Sequence, residues 1–184
     1  YTQPLQACDQ PIETQYSVLT PRFDEALPPL PPDRQVTSHS KNAPHCDVRG
    51  HLYRLTGVDL TVVAGLDEST VQLVVSETGP DMSKWRTEKH CCSWLGVAPH
   101  NDITGGKVIR SHTLNVHNRA AQALRLAAQS LSRSQSALGA FYRRMRARLG
   151  GAQAIVATAH KLARIIYHLL KHRQPYHHVS AKEY

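Results

Sequence analysis

Acidic residues are missing from nearly half of this chain: from Ile103 through Lys182 there is no Asp or Glu. That absence leaves the second half none of the clustered carboxylates that hold ions such as Mg2+ and Ca2+. Asp59, Asp67, Asp81 and Asp102 read as caps and turns rather than as ligands. No stretch approaches the roughly 18 uninterrupted apolar residues of a membrane-spanning helix, and no charged-then-apolar leader opens the chain. The protein therefore reads as soluble and intracellular. Cysteine is scarce: Cys8, Cys46, Cys91 and Cys92 show neither paired metal-ligand spacing nor the framework of a small secreted disulfide domain, and read as reduced thiols. His45 beside Cys46, and His90 beside Cys91 and Cys92, also lack the spacing of a structural zinc site, whose paired ligands stand roughly two to four residues apart. No metal site is expected here.

Positive charge is what the chain has in plenty. The formal net charge is +8 and the pI about 9.6. Residues 1–102 carry eight Lys/Arg and thirteen acids, whereas residues 103–184 carry fourteen Lys/Arg and one acid, Glu183. Like charges at helical spacing repel, so a solvated helix face normally mixes both signs. A one-sign stretch calls for a polyanion, and a phosphate backbone supplies it, with salt-dependent binding through counterion release. The alternative is a basic face that serves solubility alone.

The chain opens on Tyr1 rather than Met and reads like the middle of something longer, so a fragment is expected. Leu5, Cys8, Ile12, Tyr16 and Leu19 recur at helical steps, but Pro11 interrupts them. A proline inside a helix removes a hydrogen bond and costs about 3 kcal/mol or more, so residues 1–19 read as a kinked remnant of a longer helix. Residues 20–50, with Pro21, Pro28, Pro29, Pro31, Pro32 and Pro44, have the composition of a disordered linker. Residues 51–82 then suggest two short helices about a turn at Ala64-Gly65-Leu66-Asp67, a helix-hairpin-helix. Such a turn presents backbone N–H groups to a phosphate; here Asp67 occupies the place of a second glycine and repels an anion unless it caps the following helix. A structural hairpin and a phosphate clamp both remain open, with the former favoured.

Residues 83–176 form the next unit, and residues 177–184 a tail. Trp85 and Trp94 flank a short helix, Thr87 to Leu95, capped by Thr87 or Ser83, and read as core anchors. Residues 103–107 (ITGGK) read as a turn-rich loop. It is not a nucleotide-binding P-loop, since Asn101 and Val108 stand where that motif needs Gly and Ser/Thr. Three helices follow. The first runs from Asn118 to Leu131, and the second starts at Ser134 or Ser136 and stops at Gly150-Gly151. The third carries the apolar stripe Ile155, Ala159, Leu162, Ile166 and Leu169 opposite Lys161, Arg164, His168 and Lys171, and ends before Pro175. The arginines are the candidate phosphate-binding surface, because guanidinium forks match phosphate oxygens.

Residues 94–99 (WLGVAP), 103–108 (ITGGKV), 118–131 (NRAAQALRLAAQSL), 136–149 (SALGAFYRRMRARL) and 157–164 (ATAHKLAR) together resemble the C-terminal domain of the transposases of insertion-sequence family one hundred and ten and its relatives, the recombinases guided by a bridge RNA. The resemblance spans about residues 41–176. Together these readings give a mainly α fold, a helix-hairpin-helix followed by a small helical transposase domain after an N-terminal disordered linker. The resemblance also implies a two-part active site, in which an N-terminal RuvC-like domain of RNase-H fold, absent upstream of Tyr1, holds acidic ligands for Mg2+. The C-terminal domain supplies a serine nucleophile from a Ser-Gly-Gly-Lys loop, a position that falls on Thr104. Threonine keeps the hydroxyl, but its methyl restricts χ1 and crowds attack on phosphorus.

On that resemblance Gly105 and Gly106 let the backbone approach the scissile phosphate, and Lys107 and Arg110 stabilise its developing charge. Arg119, Arg125, Arg143, Arg144, Arg146, Arg148, Lys161 and Arg164 complete the nucleic-acid-binding set. The implied partners are DNA, a guide RNA, the RuvC-like domain and further copies of the chain assembled on DNA, in a cytoplasmic, nucleoid-associated setting; no cofactor is implied for this segment itself. The competing reading is a non-catalytic nucleic-acid-binding module or decayed transposase relic, with Thr104 an ordinary turn residue.

Overall fold

A computed structural model describes residues 2–19, 27–30 and 46–177, with the side chains of residues 2–8 excepted. Most of the proline-rich stretch and the tail from residue 178 lie outside the described residues. The described chain is mainly helical, as the apolar spacing requires.

Residues Thr2–Val18 form one helix, α1, with Pro11 inside it, where the sequence suggested a kinked remnant. Residues 10–15 are all exposed, so the proline ring lies on the solvent side of the helix. Tertiary contacts outweigh the local penalty: Tyr16 is buried and stacks on His51 at 5.2 Å, and Arg54 donates to the Tyr16 carbonyl. Helix α2 is Val48–Thr56, begun by the Asp47 side chain accepting from the Gly50 amide and ended by Gly57 at φ 76°. It starts inside the segment assigned to the linker. Residue Pro28 accepts a 2.9 Å hydrogen bond from the Tyr53 hydroxyl, which ties the linker to α2.

A buried ion pair fixes the loop after α2. Arg49 donates to Asp59 through Nε at 3.1 Å, and Asp59 also accepts from the Thr61 amide at 2.9 Å. Helix α3, Glu68–Thr78, begins at Asp67, whose carboxylate accepts from the Thr70 amide at 2.7 Å. Asp67 is therefore a cap, and the amide that a phosphate would seek is already taken. Gly65, at φ 90°, lies against Leu131, where an added Cβ would stand 2.9 Å from a side-chain carbon. The turn is packed into the molecule rather than offered to a ligand. It is a structural turn.

Helix α4 is Glu88–Trp94. Trp85 is buried, with 8% of its surface exposed, but Trp94 is 42% exposed while its ring rests 5.3 Å from that of Trp85; only the first is the core anchor expected of both. Residues Pro99–Thr104 and Lys107–Thr113 then pair as antiparallel strands β1 and β2, where the sequence suggested a loop.

Helix α5, Arg119–Ser130, is capped by Asn118, and helix α6, Ala137–Leu149, by Ser136, to whose hydroxyl Ser134 hydrogen-bonds. Gly150, at φ 85°, separates α6 from α7, Gly151–His172. Helices α5 and α7 form the centre: α3 packs on α5, α5 on α7, and α4 and α6 on α7. Leu124 and Leu162 are fully buried there, and one apolar cluster runs from Tyr16 through Val71 and Leu131 to Leu170. The hairpin projects from this body, exposed along its length except at His112 and Thr113.

Candidate nucleic-acid interface

The sequence-derived candidates fall in two places. The first is the hairpin tip. Gly105 and Gly106 have φ of 57° and 76°, and two consecutive positive φ values are what a two-residue hairpin turn matched to strand twist demands. The turn places Thr104 directly opposite Lys107. Nothing lies within 4 Å of a Cβ built on either glycine, so the tip is open to close approach by another backbone.

Pairing continues down the stem as Ile103 with Val108, Asp102 with Arg110, Asn101 with Ser111 and His100 with His112, with an irregularity between Asp102 and Ile103. Alternate residues of a strand share a face and paired residues share it too, while a one-residue bulge keeps the count in step. One face of the hairpin therefore carries Thr104 and Lys107, then Asp102 and Arg110, then His100 and His112. Neither Lys107 nor Arg110 has an ion-pair partner among the described residues.

The second place is the outer side of α6 and α7. A groove of about 690 Å³ is lined there by Phe141, His160, Lys161, Arg164, His168 and Tyr176, among others. The Lys161 ammonium lies 4.4 Å from the centroid of the Phe141 ring. Burial, and after it the repulsion of Arg144 and Arg164, holds the Lys161 ammonium below its ordinary range. Burial first, and then Arg164, likewise depress His160. Crowded cations beside aromatic rings form a surface suited to a phosphate chain. Arg146 and Arg148 are exposed on the last turns of α6, without an ion-pair partner among the described residues.

Other members of the basic set are engaged within the fold. Arg119 pairs with Glu77 at 2.6 Å, Arg164 with Glu88 at 2.6 Å, and His168 also meets Glu88. Burial alone would raise the Glu88 carboxyl, but hydrogen bonds from His168 and Arg164 outweigh it and hold Glu88 below its usual range. Arg125 donates to the Gly96 carbonyl at 3.1 Å and Arg143 to that of Ser134 at 2.6 Å. Acids from the first half thus neutralise part of the acid-free half, a pairing that composition by halves conceals.

Cys91 and Cys92 are buried, which pushes their thiols up to about 11 and about 12, and His90 bonds the Thr87 hydroxyl at 3.0 Å. His45 lies outside the described residues. What the sequence reading missed is the His100–Asp102–His112 group. Its signal was alternation at positions 100 and 102, visible only once that segment is read as a strand.

The molecule is thus a helical body with an open, hydroxyl-bearing hairpin and a cationic groove. Residues 59–143 match the family model of the transposase IS116/IS110/IS902 family. Over that span the chain is similar to this transposase family, and the match supports a role in the transposition of insertion sequences. The match covers α3 to α5, the hairpin and the first half of α6, and ends before Arg144. No curated protein matches the chain. No helix among the described residues is long and apolar enough to cross a membrane.

Proposed function

We propose that this chain binds DNA through the groove of α6 and α7 and offers Thr104 as the hydroxyl that attacks a scissile phosphate during strand exchange. The observation that carries the reading is the position of Thr104, facing Lys107 at the open end of a two-glycine turn. The glycines let the phosphate backbone settle against the tip, the hydroxyl oxygen bonds to phosphorus as the strand's deoxyribose oxygen leaves and takes up a proton in exchange for the one the hydroxyl loses, and Lys107 with Arg110 offsets the charge that accumulates. The acidic centre that binds Mg2+ is proposed to come from a RuvC-like domain, and a guide RNA and further copies of the chain to complete the assembly.

The threonine methyl favours a second reading, a non-catalytic DNA-binding module, because it stands where the approach to phosphorus needs room. One assay separates the two. The chain is joined to a RuvC-like domain with guide RNA and donor and target DNA, and the parent is compared with Thr104→Ser and Thr104→Ala. Recombination that persists or rises with serine and disappears with alanine is expected. Equal activity in serine and alanine variants removes the nucleophile. DNA affinity that is insensitive to salt, measured by titrating duplex at two ionic strengths, removes the groove.

A further inference from the structure

The polar face of the hairpin holds two imidazoles and a carboxylate whose donor atoms all lie within 4.8 Å of one another. His100 and His112 are a cross-strand pair, with rings 5.2 Å apart in an edge-on arrangement. Asp102 is two residues along the same strand and stands between them: one carboxylate oxygen is 3.9 Å from His100 Nε2 and the other 3.9 Å from His112 Nδ1. Both distances are too long for a hydrogen bond. A second feature points to the same spot. His112 Nδ1 is shielded from solvent and has no hydrogen-bond partner, a costly state for a ring nitrogen unless something else fills it.

We propose that His100, Asp102 and His112 form a binding site for a divalent transition ion of the zinc class. Bond lengths of about 2.0–2.2 Å put tetrahedral donor atoms roughly 3.3 Å apart, so the three groups need to close by only a fraction of an ångström each, and Asp102 and His100 are exposed enough to do so. Nitrogen-rich donors with a single carboxylate suit Zn2+, Co2+ or Ni2+, whereas Mg2+ and Ca2+ prefer all-oxygen surroundings. Three protein donors leave a further coordination position for water or another oxygen.

The ion has a structural consequence. It links β1 to β2 near the base of the stem and so limits the splaying of the two strands. It also adds positive charge to the face that presents Thr104 and Lys107. Nothing in the site depends on strand exchange, and it stands or falls separately from the nucleophile.

The test uses the whole chain, reduced and with excess Mg2+ present, titrated with Zn2+ by calorimetry and with Co2+ by optical spectroscopy. One ion per chain is expected, with a nitrogen–oxygen Co2+ spectrum free of thiolate charge transfer. His100→Ala, His112→Ala and Asp102→Asn should each weaken binding by at least the roughly 10–100-fold that even an outer-shell defect costs. His172→Ala, which breaks the stacked His168–His172 pair, should leave it unchanged. Histidine nitrogen NMR of the unmodified chain gives a readout that needs no variant: Zn2+ should shift the His100 and His112 rings, and amide exchange should slow in β1 and β2. Absence of saturable binding, a thiolate band, undiminished binding in the hairpin variants, or shifts confined to other histidines overturns the proposal.

Discussion

Glu88 of α4 lies against Arg164 of α7, 2.6 Å away, and holds His168 with the same carboxylate. The pair sits at the edge of the cationic groove, so it both fastens α4 to α7 and masks part of the charge offered to a polyanion. Glu88→Gln is expected to tighten DNA binding and to steepen the dependence of log K on log salt by up to about 0.9, the increment for one further neutralised phosphate. An unchanged slope would mean that Arg164 does not reach the nucleic acid.

The same carboxylate carries a pH dependence. Its folded value lies below its ordinary one, so its contribution to stability is complete above the unfolded value, about 4.3, and is lost as pH falls through the depressed folded value. His160 is also depressed, through burial first; its neutral form is preferred in the fold, so stability declines as pH drops below about 6.5 toward the folded value. Thermal melts of the parent, Glu88→Gln and His160→Gln between neutral and acid pH separate the two: each variant should lose its own segment of the decline.

Arg146 and Arg148 differ from Arg119 in a way that binding can read. The first two have no carboxylate partner among the described residues, whereas Arg119 is bound to Glu77. Alanine at 146 or 148 should lower the salt slope by about 0.9 each, and equally for unrelated DNA sequences. Arg119→Ala should leave the slope nearly unaltered.

The Arg49–Asp59 pair is buried on both sides. Removing one partner strands the other, which costs about 3–5 kcal/mol. Asp59→Ala should therefore shift the urea midpoint sharply with little change in the slope of the transition. Replacement of both residues by apolar ones should recover much of the loss.

Two glycines with positive φ should respond differently to alanine. At Gly65 the new methyl meets Leu131, an overpacking that costs about 1–3 kcal/mol on top of backbone strain. At Gly105 the space is open, so only the strain of the turn remains. Gly65→Ala should lower the global melt, whereas Gly105→Ala should spare it and perturb the amides of the hairpin alone.

Helix ends were largely legible because they are local chemistry: Asn118, Ser136 and Gly150 stop and start helices where their side chains or φ values require it. The stripes of α5 and α7 were equally clear, since burial repeats at helical spacing. The hairpin was not, because Gly105 and Gly106 read as breakers while the strands beside them carry exposed residues with no apolar alternation. Pro11 misled for a related reason: its local cost is offset by contacts of Tyr16 that only the fold creates. The pairing of acids with arginines was hidden as well. Glu77 and Arg119 are 42 positions apart and Glu88 and His168 are 80, and a running charge count cannot see across such distances.

The hairpin stands outside the helical core, and that separation has an evolutionary meaning. Substitutions at its end should leave the melting of the body almost untouched, so the residue proposed to meet the substrate can drift, be lost and return while the scaffold survives selection for folding. A lineage can exchange one hydroxyl side chain for another there without first acquiring compensating changes in the helices.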